Sequence, residues 1–167
     1  VMVRSLDDTV AGLGADGRAW RRTFAPLVDG FEALAGELLR PIQHVPRHPL
    51  LLARFGLRGL QPATTFARRW STDEARGLFA GNAAHAFHRL DAPTTAAIGL
   101  MLLASGHHAG WPVAAGGSRA ITDALASLLR AHGGTIETGV RVTALTELPP
   151  ADVVLLDLAP GAVADVA

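Results

Sequence analysis

The chain contains no cysteine. Disulfides, thiolate catalysis and Cys-based zinc or iron–sulfur sites are thereby excluded, while the redox compartment stays open. Lysine is missing as well, since all 15 basic residues are arginine. Net charge is also lacking: 15 acidic residues balance the 15 basic ones. No charge excess therefore points to nucleic acid or to a membrane surface. No segment has the charged start, apolar middle and small-residue cleavage site of a signal peptide. The longest apolar run, Ala96 to Gly106, is too short to span a bilayer and suits a buried helix. No G-x-S-x-G or other nucleophile motif is found. What remains is 167 residues, 49% of them hydrophobic, enough for one ordinary domain or two small lobes with a sizeable core. Neither Val1 nor the closing "PGAVADVA" reads as a natural terminus, so the chain is expected to be an internal piece of a longer protein.

The first two thirds read as helix. "VMVRS" is expected to be a short strand, followed by a helix capped by Ser5 with Asp8 in its first turn. Asp16 is placed to cap the next helix, whose apolar positions Trp20, Phe24, Leu27, Val28, Phe31, Leu34, Ala35, Leu38 and Leu39 recur at helical spacing. Pro26 inside that pattern predicts a kink or restart. A short apolar helix is expected around Leu50 to Leu60 and another around Pro62 to Trp70. Ser71-x-x-Glu74 has the form of a capping box. Asp91 is a candidate cap for the apolar helix after Pro93. From about Gly110 the texture changes. Ser118 opens a helix with the stripe Ile121, Leu125, Leu128 and Leu129, ended by Gly133. "TIETGVRVTAL" alternates as strands do, and "ADVVLLDL" has the length and apolarity of a strand covered on both faces. The expected class is α+β, mainly helical: a helical lobe over residues 1–109, then a βαββ segment over residues 110–167 that needs a partner sheet.

Three motifs invite chemistry. Gly12-Leu13-Gly14-Ala15-Asp16-Gly17 matches G-x-G-x-x-G letter for letter. A phosphate cradle requires a strand ending at the first glycine and a helix N-terminus facing the pyrophosphate. Here "LDDTVA" precedes it, capped like a helix and carrying two aspartates, so a glycine-capped link between helices is the better reading. His85 and His88 lie three apart and His44 and His48 four apart, but no third or fourth zinc ligand accompanies either pair, and no metal is expected. His107 and His108 end an apolar helix, where a cation is favourable against the helix dipole. The residues alone leave catalytic groups unassigned.

The passage "GWPVAAGGSRAITDALASLLRAHGGTIETGVRVTAL…ADVVLLDLAP" resembles flavin-dependent amine-oxidase-like oxidoreductases, in particular the phytoene desaturase and phytoene dehydrogenase-related branch. The residues that carry it are Pro112, Gly116, Gly117, Gly133, Gly134, Ile136, Gly139, Val142, Leu145, Asp152, Val153 and Val154, about a third of the chain. "STDEARGLFAGNAAH" is similar to the substrate-side region of that branch, less specifically. The resemblance implies a helical substrate-domain lobe followed by part of an FAD-binding α/β sheet, with the dinucleotide fingerprint upstream of this chain and the flavin-contacting segment downstream. It implies FAD as cofactor of the whole protein and not of this piece. Arg141 and Val142 are the cofactor-binding positions carried over, Val142 meeting adenine through its backbone. Relatives often have a hairpin where this chain has only "TELPP", a departure that bears on substrate class.

The implied activity is hydride transfer between flavin and an apolar, isoprenoid-like small molecule, the cofactor supplying the redox chemistry. Trp20, Phe24, Phe31, Phe55, Phe66, Phe79 and Phe87 are available to line or cover the substrate cavity. The expected partners are that substrate and the remainder of the same polypeptide, without nucleic acid. The expected location is the cytoplasm, with peripheral membrane association as an added expectation. Two rivals accompany this reading. One is a non-catalytic helical module that binds lipid or a partner, with "HPLLLARFGLRGL" lying on a membrane. Its modest amphipathicity and few cations rank it lower. The other is a flavin fold that has lost catalysis and serves as a scaffold.

Overall fold

Ser5 accepts a hydrogen bond from the backbone N–H of Asp8 at 3.1 Å, and this cap starts the first helix as its sequence predicts. In the computed structural model, which describes every residue except Ile42, the chain divides into two units, Val1–Pro112 and Val113–Ala167. The first unit holds α1 (Leu6–Gly12), α2 (Gly17–Asp29), α3 (Phe31–Leu38), α4 (Pro49–Gly59), α5 (Ala63–Ala67), α6 (Asp73–Ala83) and α7 (Thr95–His108). The second holds α8 (Arg119–Ala131) and α9 (Pro160–Val166).

The core of the first unit is aromatic. Trp20, Phe24, Phe66, Trp70 and Phe79 are fully buried. Trp20 lies 4.5 Å from Phe24 and 5.0 Å from Trp70 between ring centroids, and Phe79 lies 5.1 Å from both Phe66 and Trp70. Removing each such side chain from water contributes roughly 1.5–3 kcal/mol, and the tilted pairs add to that. α7 passes through this cluster because it is apolar on nearly every face: Ala96, Leu100, Leu103 and Ala104 are completely buried. Gly99 lets α6 close on it, since a Cβ there would meet the Phe79 ring at 2.9 Å. Of the seven aromatics expected at a substrate cavity, five are thus accounted for by packing: Trp20, Phe24, Phe55, Phe66 and Phe79. Phe31 stacks on His108 at 4.7 Å, and only Phe87 is open to solvent.

The expected strands do not form. Among the described residues there is no strand and no sheet, so the α+β class with part of an FAD-binding sheet is corrected to a helical chain. The physical reasons are local. A strand needs a partner for its backbone groups, and even a lone pair of strands is marginal in water. In "VMVRS" the N–H and C=O of Val3 both bond the Thr9 hydroxyl, at 3.0 and 3.1 Å, so no ladder starts. In the second unit, Glu147 takes the N–H and hydroxyl of Thr143 at 2.9 and 2.6 Å, folding the end of "TIETGVRVT" into the 3₁₀ turn Leu145–Glu147. Pro149 and Pro150 follow and have no N–H to offer a ladder. The apolar stripe predicted for the second unit's helix does form, on α8, but Ile121, Leu125, Leu128 and Leu129 are all exposed. No residue of Val113–Ala167 is buried.

Candidate functional site

The glycine fingerprint is a joint between helices. α1 ends at Gly12, Gly14 takes a left-handed φ of 51°, and the 3₁₀ turn Gly14–Asp16 leads into α2. Gly17 is there for space: a Cβ on it would collide with the main-chain oxygen of Val10. Asp16 does not cap α2, as its position suggested. Its carboxylate instead accepts from the N–H groups of Ser71 and Thr72 at 2.9 and 2.7 Å and from their hydroxyls at 3.0 and 2.7 Å. These bonds, led by that from the Thr72 hydroxyl, hold Asp16 down to a pKa of about 2. A saturated carboxylate buried at this turn would repel a phosphate. The same bonds correct the expected capping box: Thr72 caps α6 by accepting from Ala75, while Ser71 donates to Asp16.

Histidines are brought together at one place. Glu37, buried at the end of α3, joins His44 and His48. Its Oε2 lies 2.8 Å from His44 Nε2, and its Oε1 accepts from the N–H groups of Arg47 and His48 at 2.8 and 2.9 Å. His44 Nδ1 faces the Pro41 carbonyl at 2.8 Å. Both ring nitrogens of His44 therefore face acceptors, and the imidazolium satisfies both. Glu37 raises the His44 pKa above 6.5, and His44 lowers that of Glu37 to about 2. Among the described residues no group of three or more His, Cys, Asp or Glu is arranged to hold a metal ion. Here Oε1 accepts from two backbone N–H groups and Oε2 is engaged by His44. The sequence shows the two histidines; it does not show Glu37 as their common partner, because only the turn between α3 and α4 brings it there.

His107 corrects another expectation. It is buried, accepts from the Trp20 indole N–H at 3.3 Å and faces the Arg4 carbonyl with Nδ1 at 3.2 Å. Burial lowers its pKa, so it is a neutral packing partner and no cation against the helix dipole. His108 pairs with Glu32 at 2.9 Å. His85 and His88 border an open depression of about 510 Å³ with Thr94 and Ile98, and no carboxylate lines it. Phe87 and Thr94 beside it adopt left-handed φ values of 50° and 72°.

In the second unit, Val142 sits between two shallow depressions. One, of about 360 Å³, is apolar and bordered by Val140, Val142, Leu148, Val154 and Val166. The other, of about 370 Å³, is bordered by Arg141, Val142, Thr143, Ala162 and Asp165. Among the described residues neither the N–H nor the C=O of Val142 has a hydrogen-bond partner. An apolar wall and one free backbone donor–acceptor pair, the two features by which an adenine ring is held, thus lie side by side at Val142. The pyrophosphate of FAD finds no such features: no glycine lines either depression, and Asp157 and Asp165 border them. Four of the five glycines that carry the flavoprotein resemblance have left-handed backbone: φ is 83° at Gly116, 88° at Gly117, 83° at Gly133 and 77° at Gly139, while Gly134 does not. Only glycine takes such values without strain. No protein-family model matches the chain, and no curated protein or solved structure matches it either.

Proposed function

We propose that the chain is a segment of an FAD-dependent oxidoreductase of the phytoene dehydrogenase-related kind, acting on an apolar, isoprenoid-like substrate. The observation that supports this reading most is the left-handed backbone at Gly116, Gly117, Gly133 and Gly139, four positions of the motif that carries the resemblance. Glycine is the residue that such backbone favours at these four positions. The flavin, when bound, supplies the hydride acceptor or donor. In this reading the chain contributes the adenine edge at Arg141 and Val142, and the rest of the polypeptide supplies the phosphate and flavin contacts. The aromatic cluster of the first unit acts as scaffold and not as cavity wall. The rival, a non-catalytic helical binding module, is favoured by the exposed apolar face of α4.

Flavin content separates the two. Protein expressed from the complete reading frame around this chain is expected to purify with about one FAD per polypeptide, and the 167-residue chain alone with a negligible amount. A flavin-free complete protein, or tight stoichiometric uptake by the chain alone, would overturn the proposal.

A further inference from the structure

The chain is neutral as a whole, but its charges are not evenly spread. Residues 38–72 contain Arg40, Arg47, Arg54, Arg58, Arg68 and Arg69 and no aspartate or glutamate, against 15 basic and 15 acidic residues in the full sequence. None of these six arginines forms an ion pair among the described residues. Arg54 and Arg58 stand one turn apart on α4, a like-charge spacing that costs stability unless an anion joins them. Arg69 lies over the Phe66 ring at 3.3 Å and is close enough to Arg58 to feel its charge.

The same helix turns an apolar face to solvent. α4 buries Phe55 and Gly59. Its outer face carries Leu50, Ala53 and Leu57 at helical spacing, continued by Leu60. Leu50 is 75%, Leu57 73% and Leu60 63% exposed. Arg54 and Arg58 run along one edge of this stripe. Beside the helix start, an open depression of about 400 Å³ is walled by Pro49, Leu50 and Leu51, with Arg54 and His48 at its rim. An apolar stripe bordered by unpaired guanidinium groups is the arrangement by which a helix lies in a lipid interface, its leucines among the acyl chains and its arginines at the phosphates. Arginine stems can also cover apolar surface while the heads stay at the headgroup level.

We propose that the outer face of α4, built from Leu50, Ala53, Leu57 and Leu60 with Arg54 and Arg58 at its edge, docks on an anionic lipid surface. The complementarity of charge selects this occupant: a purely apolar partner surface would leave both guanidinium groups unpaired at the contact. Sequence pattern alone undervalues the face, because Leu51, Leu52 and Phe55 blur the stripe until packing shows which leucines are left over. The inference does not depend on the flavin reading, since vesicle binding and flavin content are separate measurements.

The test is co-sedimentation of the full 167-residue chain with phosphatidylcholine vesicles, with and without phosphatidylglycerol. The anionic vesicles are expected to bind at least about tenfold more tightly, the preference shrinking in high salt. Arg54→Gln with Arg58→Gln is expected to abolish the preference, and Leu50→Ser with Leu57→Ser to abolish binding. Leu50, Arg54 and Leu57 are exposed and Arg58 is half-buried at the edge of the face, and an unchanged melting curve checks that the fold is kept. Equal binding to both vesicle types, no binding to either, or binding indifferent to the substitutions would overturn the proposal.

Discussion

Two buried carboxylates shape the acid behaviour of the first unit most strongly. Glu37 has a folded pKa of about 2 against 4.5 in the unfolded chain, and Asp16 about 2 against 3.8. Below the unfolded values the unfolded chain takes up protons that the folded chain refuses, so both contributions are complete above about pH 4.5 and are lost as pH falls towards 2. His44 has the opposite sign. Its folded pKa is raised, so its contribution is complete below pH 6.5 and fades as pH rises through the folded value. His107, depressed by burial, costs stability as pH falls below 6.5. Glu37→Gln is therefore expected to flatten, and not to remove, the loss of stability between pH 5 and 2, because Asp16 still titrates there. Urea unfolding across that range reads the slope; a slope equal to that of the unaltered chain would contradict the assignment.

At the scale of elements, the joint between α1 and α2 distinguishes a packing glycine from a ligand glycine. Gly17→Ala is expected to destabilise by about 1–3 kcal/mol, because the new Cβ meets the Val10 carbonyl. Gly12→Ala meets nothing and is expected to be neutral or to stabilise by up to about 1 kcal/mol. Chemical denaturation of the two variants gives the contrast, and a neutral Gly17→Ala would show the joint to be looser than described. Helices were legible because their signal is local: the stripes of α2 and α8 and the apolar α7 can be read from spacing alone. Strands are harder to read because alternation states only that a segment suits a sheet, and among the described residues "TIETGVRV" and "ADVVLLDL" pair with no strand. The cap of α6 escapes local spacing for a related reason. Ser71 spends its donors on Asp16, 55 residues away, a pairing that no local window contains.

The two units differ in self-sufficiency. Val1–Pro112 surrounds buried tryptophans and phenylalanines, whereas Val113–Ala167 leaves Ile121, Leu125, Leu128, Val140, Val153 and Leu155 exposed. Apolar surface on that scale marks an interaction face, and in the proposed reading the rest of the polypeptide and the adenine of FAD cover part of it. Amide hydrogen exchange at Val142 in the complete protein, with FAD bound and after its removal, tests this claim most directly. The Val142 amide is expected to be protected with FAD and to exchange freely without it, while amides of α2 and α7 stay protected in both. Equal exchange at Val142 in the two states, or a complete protein that carries no FAD, would contradict it.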